Sequence, residues 1–233
     1  TLDPDNVDPV LKIHSLGEAY RKGNPAYDQR STVPAIVDVK TGAVVNNDYH
    51  DLTTEIAVAW TRYIRPDAPD IYPEDLRDDI DALNDIIYAD VNLAVNLAAL
   101  VTSQKDYEFY YDKVFDRLDW LEKRLSTRRY LMGDTITDPD IRLFVTLSRF
   151  DLVFYQKYYV NKKRLVDYPN LWNYAKDLYS NPAFGGNTDF DSMRKRFYYV
   201  DHTPYEDFPR IVPKGPDMSI WEEPNDRAEK FGK

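Results

Sequence analysis

The sequence predicts an α+β segment followed by an all-α domain. Two short apolar runs, residues 32–39 and 43–46, flank a Lys40-Thr41-Gly42 turn and read as a β-hairpin. Residues 65–73 then carry Pro66, Pro69 and Pro73 and interrupt every periodicity. Beyond that break, apolar residues recur at helical spacing in one stretch after another. The expected organisation is a first segment over residues 1–64, a linker over 65–73, a helical domain over 74–200 and an extended tail over 201–233.

In the first segment, Asp8-Pro9 can open a helix that Leu11, Leu16 and Ala19 continue and Gly23-Asn24-Pro25 ends. Pro34 sits at the start of the first strand, where a strand tolerates proline. Asp48 then opens a helix with Leu52, Ile56, Trp60 and Tyr63 on one apolar face. A single hairpin is too little sheet to stand alone, so the reading expects more of this domain before Thr1 or from a partner.

The helical domain begins with Leu76, Ile80, Leu83, Ile87, Val91, Ala94 and Ala98, one continuous helix by spacing. Tyr107, Tyr111, Val114, Leu118, Leu121 and Leu125 mark a second. The third has the most explicit start signal: Thr137 as N-cap, Pro139 in the first turn and Asp140 completing a capping box. Its inward face is read as Ile141, Phe144, Val145, Ser148 and Leu152. Leu171, Tyr174, Ala175 and Leu178 make a fourth helix after Tyr168-Pro169, and Phe190, Met193 and Phe197 suggest a fifth. From His202 onward the chain is Pro-rich and reads as a tail lying over the surface.

Composition narrows the function classes. The net charge of −10 argues against a nucleic-acid partner, which needs dense Lys and Arg to neutralise phosphates. No apolar run approaches the roughly 20 residues of a membrane-spanning helix, and the expected compartment is the cytoplasm. Cysteine is absent, which excludes thiolate catalysis by these residues. His14, His50 and His202 stand far apart, so no metal is expected. Tyrosine is abundant, with 19 residues clustering at Tyr155, Tyr158 and Tyr159 and again at Tyr198 and Tyr199. Most read as packing residues, although such a cluster could also line a pocket for a planar ligand. The acidic pairs Asp78-Asp79 and Glu222-Glu223 read as solvated charge. No P-loop, dinucleotide fingerprint, nucleophile elbow or HExxH stretch is present.

A longer ordered series of motifs carries a family resemblance. It runs Thr32-Val33-Pro34, Val45-Asn46-Asn47-Asp48, Tyr72-Pro73, Thr102-Ser103-Gln104 and Tyr130-Leu131-x-Gly133. It continues through Thr137-x-x-Asp140-Ile141-Arg142-Leu143-Phe144, Arg149-Phe150-Asp151 and Tyr168-Pro169-Asn170-Leu171. Tyr198-Tyr199 with His202 and Val212-Pro213-x-Gly215-Pro216 complete it. The series resembles the glutathione transferase superfamily, and within it the Xi class of glutathionyl-hydroquinone reductases. Asn47-Asp48-Tyr49 and Asp119-Trp120-Leu121-Glu122 resemble the actinobacterial branch, which implies mycothiol in place of glutathione.

The resemblance implies a partial thioredoxin-like fold at the N-terminus, an all-α glutathione-transferase C-terminal domain and a homodimer. It implies that Pro34 is the cis-proline and that the backbone of Val33 pairs with a thiol peptide. The helix starting at Asp48 would offer backbone N–H groups to a carboxylate of that peptide, with Asp48 keeping the family's acid and Tyr49 standing where the family has serine. The family's nucleophilic cysteine, in a Cys-Pro-x-Ala motif, would lie upstream of Thr1. Asn96 occupies the place of an active-site tyrosine and Leu97 that of a basic neighbour, while Tyr198 retains the second tyrosine. Two functions are open at this point. One is a thiol-dependent reductase or transferase acting on thiol adducts of quinone-type aromatics; the other is a cysteine-free, non-catalytic binding or scaffold relative.

Overall fold

The computed structural model describes residues 4–198 and 211–232. The chain divides into two compact units, Thr1–Ala68 and Pro69–Lys233.

In the first unit, helix α1 spans Leu16–Gly23 and starts later than Asp8-Pro9 suggests. The Asp8 carboxylate instead accepts from the amides of Val10 and Leu11 and closes a turn. Ser15 and Glu18 form the capping box that starts the helix. Strand β1 is only Ile36–Asp38 and pairs antiparallel with β2, Ala43–Asn46, with an irregular register at Ile36/Val37. The remainder of the 32–39 run is not strand, because Pro34 has no N–H for a ladder and its peptide bond with Val33 is cis. Gly42 makes the hairpin turn with φ 68°, a backbone region that suits glycine. Helix α2 spans Leu52–Ala59 and begins four residues after Asp48. It ends before Trp60 and Tyr63, whose rings stack edge-on.

The second unit is helical. The apolar series that begins at Leu76 is not one helix. It divides into α3 (Arg77–Ile87), a π-turn over Tyr88–Asn92, and α4 (Ala94–Leu100). The Leu93 amide reaches back five residues to the Tyr88 carbonyl. Within this turn, Asp90 receives Lys113 Nζ at 2.9 Å and the Arg117 guanidinium at 2.7 Å and 3.0 Å. Those cations belong to α5, Gln104–Leu125, which starts on a Ser103 cap. Burial opposes ionisation of Asp90, but the hydrogen bonds from Lys113 and Arg117 hold its carboxyl below the ordinary range.

Helix α6 spans Asp138–Arg149 and makes its capping box in both directions. It too passes into a π-turn, Phe150–Phe154, before the single turn α7, Tyr155–Lys157. Its core face is Leu143, Phe144, Leu147 and Ser148, whereas Val145 is exposed. The inward face is therefore rotated from the one the sequence spacing suggests. Asp138 and Asp140 turn inward as well, where Asp138 meets Arg142 and Asn84 and Asp140 meets the Leu131 and Thr137 amides. Helix α8 spans Pro169–Ser180, α9 Pro182–Gly185 and α10 Phe190–Tyr198. Leu83, Ile87, Val95, Phe115, Leu118, Leu147, Phe150, Leu171 and Tyr174 belong to one continuous core.

The tail does not simply lie extended. Residues 218–222 form a 3-10 turn and α11 spans Arg227–Phe231. Trp221 is 4 % exposed and packs edge-on against Phe144 and Trp172. The fully buried Arg227 donates to the carbonyls of Leu125 at 2.8 Å and Arg129 at 2.6 Å, and also to that of Arg128. It satisfies the carbonyl end of α5, where a cation is favoured by the aligned peptide dipoles.

Two stability measurements follow from these contacts. Asp140→Ala strands the buried Leu131 and Thr137 amides and the Tyr174 hydroxyl, and is expected to cost about 3–5 kcal/mol in urea unfolding. Arg227→Met keeps the stem but removes the bonds to the end of α5, with an expected cost of about 2–4 kcal/mol. In a urea titration, a change below ~0.5 kcal/mol in either variant would contradict these assignments.

Candidate functional site

The candidate residues fall in both units. In the first unit, the buried ring of Tyr20 on α1 reaches its hydroxyl to the Thr32 carbonyl at 2.9 Å. Gly17 on the same helix lets Ser31 approach, since a Cβ there would stand 3.1 Å from the Ser31 hydroxyl oxygen. These contacts seat the segment that carries Val33 and Pro34. Val33 is 79 % exposed and lies three residues before β1.

Asp48 is already engaged. Its Oδ1 accepts from the amides of His50 at 2.8 Å and Asp51 at 3.2 Å, while its own amide donates to Asn46 Oδ1 at 2.7 Å. A helix opening at Asp48 was expected to offer free amides to a ligand carboxylate. Here α2 opens at Leu52, and two of the preceding amides are satisfied by the protein's own carboxylate. Tyr49 is partly exposed, with its ring edge-on to His50.

In the second unit, Asn96 lines a cavity of about 300 Å³ together with Lys157, Tyr158, Arg196 and Phe197. Its position follows from the π-turn. The extra residue re-aims α4 relative to α3, and Asn96 Nδ2 donates to the Asn92 carbonyl at 2.7 Å. Asn92 in turn donates to the Arg142 carbonyl at 3.1 Å on α6. One amide hydrogen of Asn96 is thus used to hold the side chain, leaving its second hydrogen and its carbonyl oxygen for other partners.

The opposite wall comes from α7 and α10. Phe154, Tyr158 and Phe197 form a ring cluster with centroid separations of 5.4–6.1 Å. Lys157 donates to the Phe197 carbonyl, and its Nζ stands 5.5 Å above the Tyr198 ring. Tyr198 itself is half-buried, with its hydroxyl donating to the Leu152 carbonyl at 3.3 Å. Burial raises the Tyr198 pKa, with Arg194 opposing, so the phenol stays a neutral donor at neutral pH.

The structure therefore brings Asn96 to a cavity whose wall includes the residue next to Tyr198. Four lining residues were not singled out as site residues by sequence: Lys157, Arg196 and Phe197, and Tyr158, noted only as one of a tyrosine cluster. The run of three basic and then two aromatic residues over Arg194–Tyr198 was the available signal. Tyr199 and His202, the other parts of that motif, lie outside the described residues. Among the described residues, no group of three or more His, Asp or Glu side chains could hold a metal ion, and no helix is long and apolar enough to cross a membrane.

The family model described as glutathione S-transferase, C-terminal domain, matches residues 74–177. The glutathionyl-hydroquinone reductase YqjG of Escherichia coli is 34 % identical over 225 residues, covering 97 % of this chain and 67 % of that protein. The chain belongs to the glutathione transferase superfamily, in its Xi class. The structure of a glutathione transferase from Gordonia bronchialis superposes with a TM-score of 0.93 at 45 % identity, covering 100 % of this chain and 72 % of that one. The Xi glutathione transferase of Phanerochaete chrysosporium gives 0.82 at 37 % identity, covering 90 % and 67 %. The glutathione-bound structure of YqjG gives 0.88 at 33 % identity, covering 97 % and 72 %. The chain spans about two thirds of the length of the curated relatives it matches.

Membership of this family accounts for the cis Val33-Pro34 bond and for the helical second unit expected from the motif series. Tyr198→Phe is expected to lower kcat/KM toward aromatic thiol adducts about 10–100-fold, with far-UV circular dichroism unchanged. If Tyr198 serves only packing, kcat/KM will stay within about twofold.

Proposed function

We propose that this Xi-class protein is a thiol-dependent reductase that removes the thiol from adducts of quinone-type aromatics. The observation that carries this reading is the cavity of Asn96, Tyr158 and Phe197 beside Tyr198, in a chain 34 % identical to a glutathionyl-hydroquinone reductase. The rings provide a surface for a planar substrate, Asn96 provides a donor for its oxygen, and Tyr198 provides a second once its single hydroxyl hydrogen turns from the Leu152 carbonyl.

In this chemistry a thiolate attacks the adduct sulfur. A sulfur–sulfur bond forms as the ring carbon–sulfur bond breaks, and the ring carbon takes up a proton, giving the free hydroquinone and a disulfide. The sequence holds no cysteine. The attacking thiolate is then either the co-substrate itself or a cysteine upstream of Thr1. Glutathione is the favoured co-substrate because the related YqjG binds it; mycothiol is the second candidate. In the first unit, Val33 would supply backbone hydrogen bonds to a thiol peptide by strand addition next to Pro34. Asp48 would sooner meet the ammonium of a thiol peptide than its carboxylate, since nearby amides are already taken. A cytoplasmic homodimer accompanies this reading.

A second reading is favoured by specific contacts: the Asn96 amide and Tyr198 hydroxyl both bond backbone carbonyls, as they would in a binding protein without catalysis. Assay of glutathionyl- and mycothiyl-menadiol, each with its own free thiol, separates the two. Disulfide and free menadiol formed in equal amounts are expected for the reductase. Ligand binding without turnover of either adduct would establish the non-catalytic reading instead.

A further inference from the structure

The chain carries a net charge of −10, yet the five described residues lining the Asn96 cavity include two cations and no carboxylate. Lys157 is held at the wall by the Phe197 carbonyl. Arg196 makes no ion pair with a carboxylate among the described residues. Among the described residues, three acids near these elements are engaged elsewhere. Asp191 pairs with Lys195 at 2.5 Å, Asp189 accepts from Ser192, and Asp151 accepts the amides of Leu165 and Val166. A partly enclosed cavity lined by one sign of charge concentrates field and favours ligands of the opposite sign. At about 300 Å³ it is at the small end of ligand sites, which suits one or two fused rings. The rings of Tyr158 and Phe197, backed by the buried Phe154, supply the apolar face against which such rings pack.

We propose that this cavity selects aromatic substrates bearing an anionic substituent on the ring, a carboxylate or an ionised phenol. The proposal rests on the reductase reading for the reaction, but the charge preference belongs to Arg196 and Lys157 and is measurable without turnover. Arg196 is the specificity residue: its planar guanidinium can take a ring carboxylate in a two-point contact. Lys157 adds a second positive charge to the same lining.

The test compares the glutathionyl adducts of 2,5-dihydroxybenzoate and of its methyl ester, which differ by one charge. The carboxylate adduct is expected to have a kcat/KM about tenfold higher, a difference of ~1.4 kcal/mol. That ratio should fall toward one in Arg196→Gln, fall again with Lys157→Met added, and persist in Arg196→Lys at a reduced value. Taking the ratio cancels any loss of active protein common to both substrates. Equal rates for the two adducts in the wild type would overturn the selectivity while leaving the reductase reading standing. A raised KM for glutathione in Arg196→Gln with an unchanged ratio would also overturn it, because the cation would then serve the thiol peptide. Should neither adduct turn over, the reductase reading fails alone. Calorimetric titration with free 2,5-dihydroxybenzoate and its methyl ester then decides the selectivity. Tighter binding of the acid, lost in Arg196→Gln, supports it; equal or undetectable binding of both refutes it.

Discussion

The helical unit depends on one buried carboxylate. Asp140 accepts the amides of Leu131 at 2.9 Å and Thr137 at 2.8 Å, the Thr137 hydroxyl at 3.1 Å and the Tyr174 hydroxyl at 2.7 Å. It is completely buried, and a carboxylate can be held there only where donors replace the water it has lost. Those donors come from the turn before α6, from the helix start itself and from α8. Beside it, Asp138 binds Arg142 at 2.5 Å and Asn84 at 2.8 Å, which ties α3 to the same helix end. The entry of α6 is thus the junction where three helices take their relative positions.

Both sides of the candidate site then descend from interruptions in helices anchored at that junction. The π-turn at Tyr88–Asn92 re-aims α4, and the one at Phe150–Phe154 redirects the chain into α7. The first is held by Asp90 between Lys113 and Arg117, and Asn92 bridges it to α6. The second supplies the Leu152 carbonyl that Tyr198 meets and the Phe154 ring that Tyr158 and Phe197 pack on. Regular helices through these positions would carry Asn96 and Tyr158 around their axes by the angle of one residue. The breaks in periodicity are therefore part of how the cavity is built.

The C-terminal segment locks the far end of the same assembly. Arg227 meets the last carbonyl of α5 and that of Arg129 beyond it, Lys176 donates to the Pro224 carbonyl at 2.8 Å, and Trp221 joins a ring cluster with Phe144, Trp172 and Tyr179. Closer to the cavity, Arg194 donates to the Lys214 carbonyl at 2.6 Å, and Gly215 turns with φ 67° next to the Leu152 side chain. The segment thereby touches both α10 and the second π-turn. A proline-rich composition conceals such a role, because its two anchoring side chains are separated in sequence from everything they bind.

The features legible in the sequence were those decided by near neighbours along the chain. Thr137 and Asp140, Pro139, the Gly42 turn and the apolar spacing of α5 and α8 act within about a turn of where they stand, and each produced the element expected. The ordered motif series identified the family, and with it the cis bond at Pro34. The site was only partly legible: Asn96 and Tyr198 were named, whereas Lys157, Arg196 and Phe197 were not, and Tyr158 stood out only as one of many tyrosines. Helix interruptions were invisible because a π-turn preserves apolar composition while shifting its phase by one residue. The bond that stabilises the first, from Asp90 to Arg117, spans 27 positions. What the sequence determined by itself was the set of elements and their caps, through local hydrogen bonding and periodicity. Only the tertiary structure decided the charge and shape of the cavity, because both arise where α4, α7 and α10 converge from distant parts of the chain.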